Sequence, residues 1–202
     1  MRLLAIFVCF GLVLLLAAPL AKAAGPDYGN AQRLSLPAPD KSGGVPLMQA
    51  LAQRQSNRNI SEEAISQQEL SNLLWAAWGV NRPDGKHTVP TARNKQMVAV
   101  YAAMDSGVWY YDSTRHELAL ALAQDIRRQM GGAPLVLIYA ASKSDEASPM
   151  HVGSIYQNVG LYCASAGLAN VVKGSGVAEL NAMLPLPENY AVFILHPVGK
   201  PK

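Results

Sequence analysis

Arg54-Gln55-Ser56-Asn57-Arg58 is the stretch on which the reading of this chain turns. Two arginines flank a serine at Arg-x-Ser-x-Arg spacing, directly after a short apolar helical pattern. Each guanidinium is a planar, permanently charged fork of donors, and paired forks suit a phosphate or a carboxylate. Ser56 adds a hydroxyl between them. In isolation the pattern also describes an ordinary solvated loop, so its meaning depends on what surrounds it.

Upstream, residues 46–54 read as a helix opened by Pro46, with Leu47, Ala50 and Leu51 on one face. Downstream, Ser66-Gln67-Gln68-Glu69 is a capping box. Behind it Leu70, Leu73, Leu74, Ala77 and Trp78 recur at helical spacing, and Gly79 stops the run. Trp75 and Trp78 are read as packing residues. Residues 81–93 form a Pro- and Gly-containing loop before a strand at 97–102. Residues 107–111 and 116–120 read as the arms of a hairpin turned by Asp112-Ser113-Thr114-Arg115. A short helix is predicted over 123–130, closed by Gly131-Gly132. A buried strand follows over 134–141, where the apolar run is nearly continuous.

Residues 151–166 carry a second long amphipathic pattern, capped by Gly167. Residues 168–172 read as a strand, 177–184 as a helix and 190–195 as the last strand, which places His196 and Pro197 at a strand end. Helices and strands mix without strict alternation, so the fold class is α+β, with a mixed, mainly antiparallel sheet flanked by helices.

The bulk numbers set the frame. At 202 residues, 50% hydrophobic and 15% charged, the chain suits one well-buried core. Residues 1–23 have the form of a secretory signal: a basic start at Arg2, an apolar run over 3–20, and Ala21-Lys22-Ala23 as the cleavage site. The run also approaches the length of a membrane span, so a retained anchor is the alternative. Residues 24–44 read as an extended arm and 45–202 as the domain. Removing Arg2 and Lys22 with the signal lowers the formal charge from +3 to +1. No basic run points to nucleic acid. Cys9 falls in the signal, which leaves Cys163, on an apolar helix face, as a core thiol without a disulfide partner.

No metal-ligand spacing joins His87, His116, His151 and His196. Nucleophile elbows, Walker loops and dinucleotide fingerprints are absent from the sequence. If the chain is an enzyme, a cofactor carries the chemistry.

Four segments, in order, resemble the FMN-dependent nitroreductase superfamily, and most closely its azoline-dehydrogenase-type branch. They are Arg54-Gln55-Ser56-Asn57-Arg58; the Leu-Leu-Trp helix from Glu69 to Val80, with Arg82 close behind; Thr88-Val89-Pro90-Thr91-Ala92-Arg93-Asn94-Lys95-Gln96; and the Gln157-Asn158 helix ending at Gly167-Leu168. The resemblance implies a nitroreductase-like fold and a homodimer centred on the helix 157–166, with two FMN sites at the interface. It assigns the FMN phosphate and ribityl end to Arg54, Ser56 and Arg58, with Gln55 and Asn57 beside them. Asn94 and Gln96 would face the ribityl and ring. Val172, Lys173, Gly174 and Ser175 would lie over the ring near N5, and Lys200 would reach the phosphate. Arg93 and Lys95 would bias the reduced ring by their charge. The implied activity is hydride transfer through flavin N5 between a donor, NAD(P)H or another, and a nitroaromatic, quinone or similar electrophile, in a periplasmic or secreted protein. A flavin-binding protein without turnover, or a purely structural dimer, fits the same residues.

Overall fold

A computed structural model describes residues 26–202, and the expected signal segment lies outside them. Among the described residues, seven strands form one sheet: β1 (Arg33–Ser35), β2 (Val98–Met104), β3 (Gly107–Asp112), β4 (Glu117–Leu122), β5 (Leu135–Ser142), β6 (Ala169–Asn170) and β7 (Tyr190–Gly199). Their order is β1-β4-β3-β2-β5-β7-β6. Every pairing among the described strands is antiparallel, so the sheet is wholly antiparallel where a mixed one was expected. Four helices among the described residues, α1 (Leu47–Gln53), α2 (Gln67–Trp78), α3 (Ser148–Ala166) and α4 (Val177–Met183), complete the α+β architecture.

β5 lies between β2 and β7, and all eight of its residues are buried. That burial on both faces is why its sequence is apolar from Leu135 to Ala141 rather than alternating. Leu137 and Tyr139 face the layer built by α2 and α3, while Val136 and Ile138 face the layer of α4 and the turn at 127–130. The arm is not merely a leader: Arg33, Leu34 and Ser35 pair with Ala119, Leu118 and Glu117 at the sheet edge.

The α2 capping box is formed as read. Ser66 Oγ accepts the Glu69 N–H at 3.1 Å, and a Glu69 carboxylate oxygen accepts the Ser66 N–H at 2.6 Å. Ser66→Ala leaves an N-terminal donor of α2 without this acceptor and is expected to cost about 1 kcal/mol. Thermal unfolding should register it as a midpoint lower by roughly 2–4 °C for a chain of this size; an unchanged midpoint would show the box to be dispensable. Gly79 ends α2 as read, in extended backbone. Its requirement is space: a Cβ there would stand 2.2 Å from Trp75 Cδ1.

Two sequence expectations are corrected. The helix predicted over 123–130 is only a 3₁₀ turn, Arg127–Met130. Asp125 accepts the Arg127 N–H at 3.0 Å and also pairs with its guanidinium, which reaches on to the Pro134 carbonyl at 3.0 Å. This side-chain bonding competes with helix formation. The last strand does not end at Leu195 but runs on through Pro197 to Gly199. Pro197 is accommodated because its carbonyl accepts the Val171 N–H at 3.2 Å, so it still takes part on one side.

Candidate functional site

The segment 54–61 lies between helix α3 and the chain's end. Arg54 closes α1, its N–H donating to the Ala50 carbonyl at 2.9 Å. Its aliphatic stem crosses α3 at Gly160, with Cγ 3.7 Å from where a Cβ would stand. The Asn57 N–H donates to the Asn170 carbonyl at 2.8 Å, tying the segment to β6. On the other side, the Ser61 N–H donates to the Lys200 carbonyl at 2.8 Å and the Lys202 N–H to the Asn59 carbonyl at 2.9 Å. Gly199 allows this packing, because a Cβ there would meet Ile60 at 2.7 Å and Pro134 at 2.8 Å.

This arrangement walls a cavity of about 440 Å³. Arg58, Lys173 and Lys202 line it, with Glu62, the turn at 130–133, Val171 and Val172. Lys173 is fixed at both ends. Its backbone exchanges hydrogen bonds with Leu195 at 2.8 and 2.9 Å, and its Nζ donates to the Met130 carbonyl at 3.1 Å. The Lys173 N–H is therefore committed to β7, and donors toward a ring at this turn have to come from its neighbours. Gly174 and Ser175 are exposed beyond it, ahead of α4. A neighbouring hollow of about 290 Å³ is lined by Gln55, Asn57, Asn170 and Pro201, among others.

Asn94 and Gln96 stand apart from both cavities. They line a cleft of about 180 Å³ with Arg82, Lys86 and His87. The Gln96 amide donates to Asn94 Oδ1 at 2.9 Å, and its own Oε1 is buried with no partner. Lys95 is paired with the buried Asp145 at 2.8 Å, which holds that carboxyl below its ordinary range. Its charge is thereby balanced locally, unlike that of an open loop cation. Trp78 is a core residue stacked on His87 at a 4.1 Å ring separation.

The structure thus gathers Arg58, Val172 and Lys173, places Gln55 and Asn57 beside them, and leaves Asn94 and Gln96 on a separate loop. Lys200 points to Glu63, with which its ammonium pairs. Lys202, not singled out from the sequence, lines the cavity in its place, as do Glu62 and the turn at 130–133. The signal available for that turn is the Gly131-Gly132 pair, which in sequence reads as a helix stop. Cys163 is fully buried, and burial pushes its thiol far above its ordinary value, so it is a core residue.

An antiparallel sheet covered by helices, with Arg58 of the Arg-x-Ser-x-Arg segment lining a cavity beside Lys173 and Lys202, defines the class of the protein as α+β. The chain belongs to the nitroreductase family, whose model matches residues 51–200. A crystal structure of a Ralstonia eutropha JMP134 protein bearing a nitroreductase name is 32% identical, with a TM-score of 0.78, covering 88% of this chain and 94% of that one. A Methanocaldococcus jannaschii protein of the same designation is 27% identical over 199 residues, 85% of this chain and 98% of its own. The Bacteroides fragilis nitroreductase with bound FMN shares the fold at a TM-score of 0.57, with 14% identity over 78% of this chain and 89% of that one.

Proposed function

We propose that this protein is an exported FMN-dependent oxidoreductase that works as a homodimer. The observation that carries the reading is the joint placement of Arg58, the last residue of the Arg-x-Ser-x-Arg segment, with Lys173 and Lys202 around one cavity. The cavity has the size of a cofactor site, and its cations match the phosphate of FMN. When bound, FMN would supply the hydride-transfer chemistry between a donor and a conjugated electrophile such as a nitroaromatic or quinone.

The chain's own residues bind and orient. Arg54, Ser56, Arg58 and Lys202 hold the phosphate end, and Val172, Lys173, Gly174 and Ser175 shape the wall along the ring. Dimerisation is supported by the exposed apolar residues Leu47, Met48 and Leu51 on α1 and Met150 on α3. A second copy covering them would bring its own 91–96 loop to complete the pocket. The resemblance to the azoline-dehydrogenase-type branch extends the reading to oxidation of a substrate outside the cytoplasm, with residues 1–23 as the export signal and 45–202 as the working domain.

The test is direct. Purified protein is titrated with FMN, followed by quenching of flavin fluorescence, and then reduced anaerobically with NADH or NADPH. Saturable binding and bleaching of the flavin absorbance are expected. A protein that stays colourless and binds no added FMN sinks the proposal; one that binds but is reduced by no donor is a flavin carrier rather than a reductase.

A further inference from the structure

The loop that carries Asn94 and Gln96 is pinned from behind by one imidazole. His151 lies in the first turns of α3 and is 4% exposed, and its Nε2 accepts the Ala92 N–H at 2.8 Å. An imidazole that accepts a backbone N–H at Nε2 is neutral, with its proton on Nδ1. Nδ1 faces Asp145 Oδ2 at 3.6 Å, and neither buried atom has a hydrogen-bond partner. The other Asp145 oxygen is taken by Lys95. The loop needs such an anchor. Arg93, Asn94 and Gln96 sit at φ of 53°, 53° and 54°, left-handed backbone that non-glycine residues adopt only when their surroundings hold them there.

We propose that His151 is a positioning residue, which as a neutral imidazole holds the 91–96 loop in the shape that presents Asn94 and Gln96, and which releases that loop when protonated. The presentation to flavin rests on the function proposed above; the latch does not. A proton on Nε2 turns the acceptor into a donor facing the Ala92 N–H, so the bond is lost. The charged groups facing the ring are Asp145, from the β5–α3 connection, and Lys95, from the loop itself. Asp145 favours the protonated ring, while Lys95 and burial oppose it. Burial is the largest of the three, and it holds the imidazole below the usual histidine range. The latch is therefore closed at neutral pH and opens on acidification.

Hydrogen-exchange protection factors of residues 91–97 test this in the FMN-free protein, at about pH 7.5 and about pH 4, the lower value set well beneath the ordinary histidine range because burial holds this imidazole below it. In the wild type the Ala92 factor is expected to fall about tenfold on acidification, the scale of one lost hydrogen bond. His151→Gln, whose side-chain carbonyl accepts at either pH, should stay protected at both. His151→Leu should be unprotected at both. A wild type without the fall, or a Gln variant that falls in parallel with it, overturns the latch, and the Gln comparison decides even if the Leu variant does not fold. FMN affinity measured across the same range separates the two readings. If the loop opens and affinity does not follow, the latch stands and the placement of Asn94 and Gln96 at the flavin fails.

Discussion

Arg58→Ala is expected to weaken FMN binding by roughly ten- to a hundredfold, the loss of a charge-assisted hydrogen bond worth about 1.5–3 kcal/mol. Arg58 is exposed, so the lower end of that range applies at physiological salt, where exposed charges are screened. Lys202→Ala should have a similar effect, since Lys202 lines the same cavity. Lys200→Ala is the contrast. The resemblance gives Lys200 the phosphate contact, yet its ammonium is paired with Glu63, and only its backbone carbonyl braces the segment, through Ser61. Its removal should shift affinity by less than about threefold, in line with the small worth of an exposed ion pair. Arg58→Lys should fall between wild type and alanine, because it keeps the charge and loses the fork. Fluorescence titrations of the four variants at low and moderate salt read all of this. If Lys200→Ala proves the most damaging, Lys200 leaves Glu63 to reach the cofactor and the assignment of the cavity cations is wrong.

The parts of the fold that sequence alone made legible are those with local causes. The α2 capping box needs only Ser66 and Glu69, and its apolar stripe needs only the period of the helix. β5 is readable because burial on both faces leaves it apolar from Leu135 through Ala141. What escaped depends on partners distant in sequence. Pro197 reads as a strand terminator until β6 is seen alongside it, with Val171 donating to its carbonyl. The 3₁₀ turn at 127–130 is a local exception: Asp125 bonds the Arg127 N–H and guanidinium, a competition that helical spacing does not show. At the site, the motif residues Arg54 and Arg58 were visible as a pattern. The division of labour between Lys200 and Lys202 is decided by Glu63, and no spacing rule reveals it. His151 looked like a lone histidine because its partner is a backbone N–H, which sequence does not mark.

His196 should control the acid stability of the whole fold. The side chains of Tyr139, His196 and Asn170 form a buried chain: Tyr139 Oη to His196 Nδ1 at 2.9 Å, and His196 Nε2 to Asn170 Oδ1 at 2.9 Å. The neutral ring satisfies both, with Nδ1 accepting the tyrosine proton and Nε2–H donating to the amide oxygen. Protonation places a charge in the core and forces the Tyr139 hydroxyl to turn from donor to acceptor, which takes its own proton away from Nδ1. Burial accordingly drops the His196 pKa to about 3, against 6.5 for the free side chain. The unfolded chain binds the proton more readily, so stability rises with pH across that interval. The contribution is complete above about pH 6.5 and is lost as pH falls toward 3; at 1.36 kcal/mol per pH unit it totals on the order of 4–5 kcal/mol. Urea unfolding between about pH 7 and pH 4 is the measurement, a window largely above the carboxylate titrations. His196→Leu should be less stable at pH 7 by about 1–3 kcal/mol for each partner left unsatisfied. It should also lose stability more slowly on acidification, so the two curves converge. Parallel curves would mean that His196 does not carry the acid response. The consequence reaches the site, because the Asn170 carbonyl accepts the Asn57 N–H at 2.8 Å and Asn170 lines the hollow beside Gln55. Disturbing the His196 network should therefore loosen the Arg-x-Ser-x-Arg segment before the protein unfolds, and FMN affinity in His196→Leu should fall even at neutral pH.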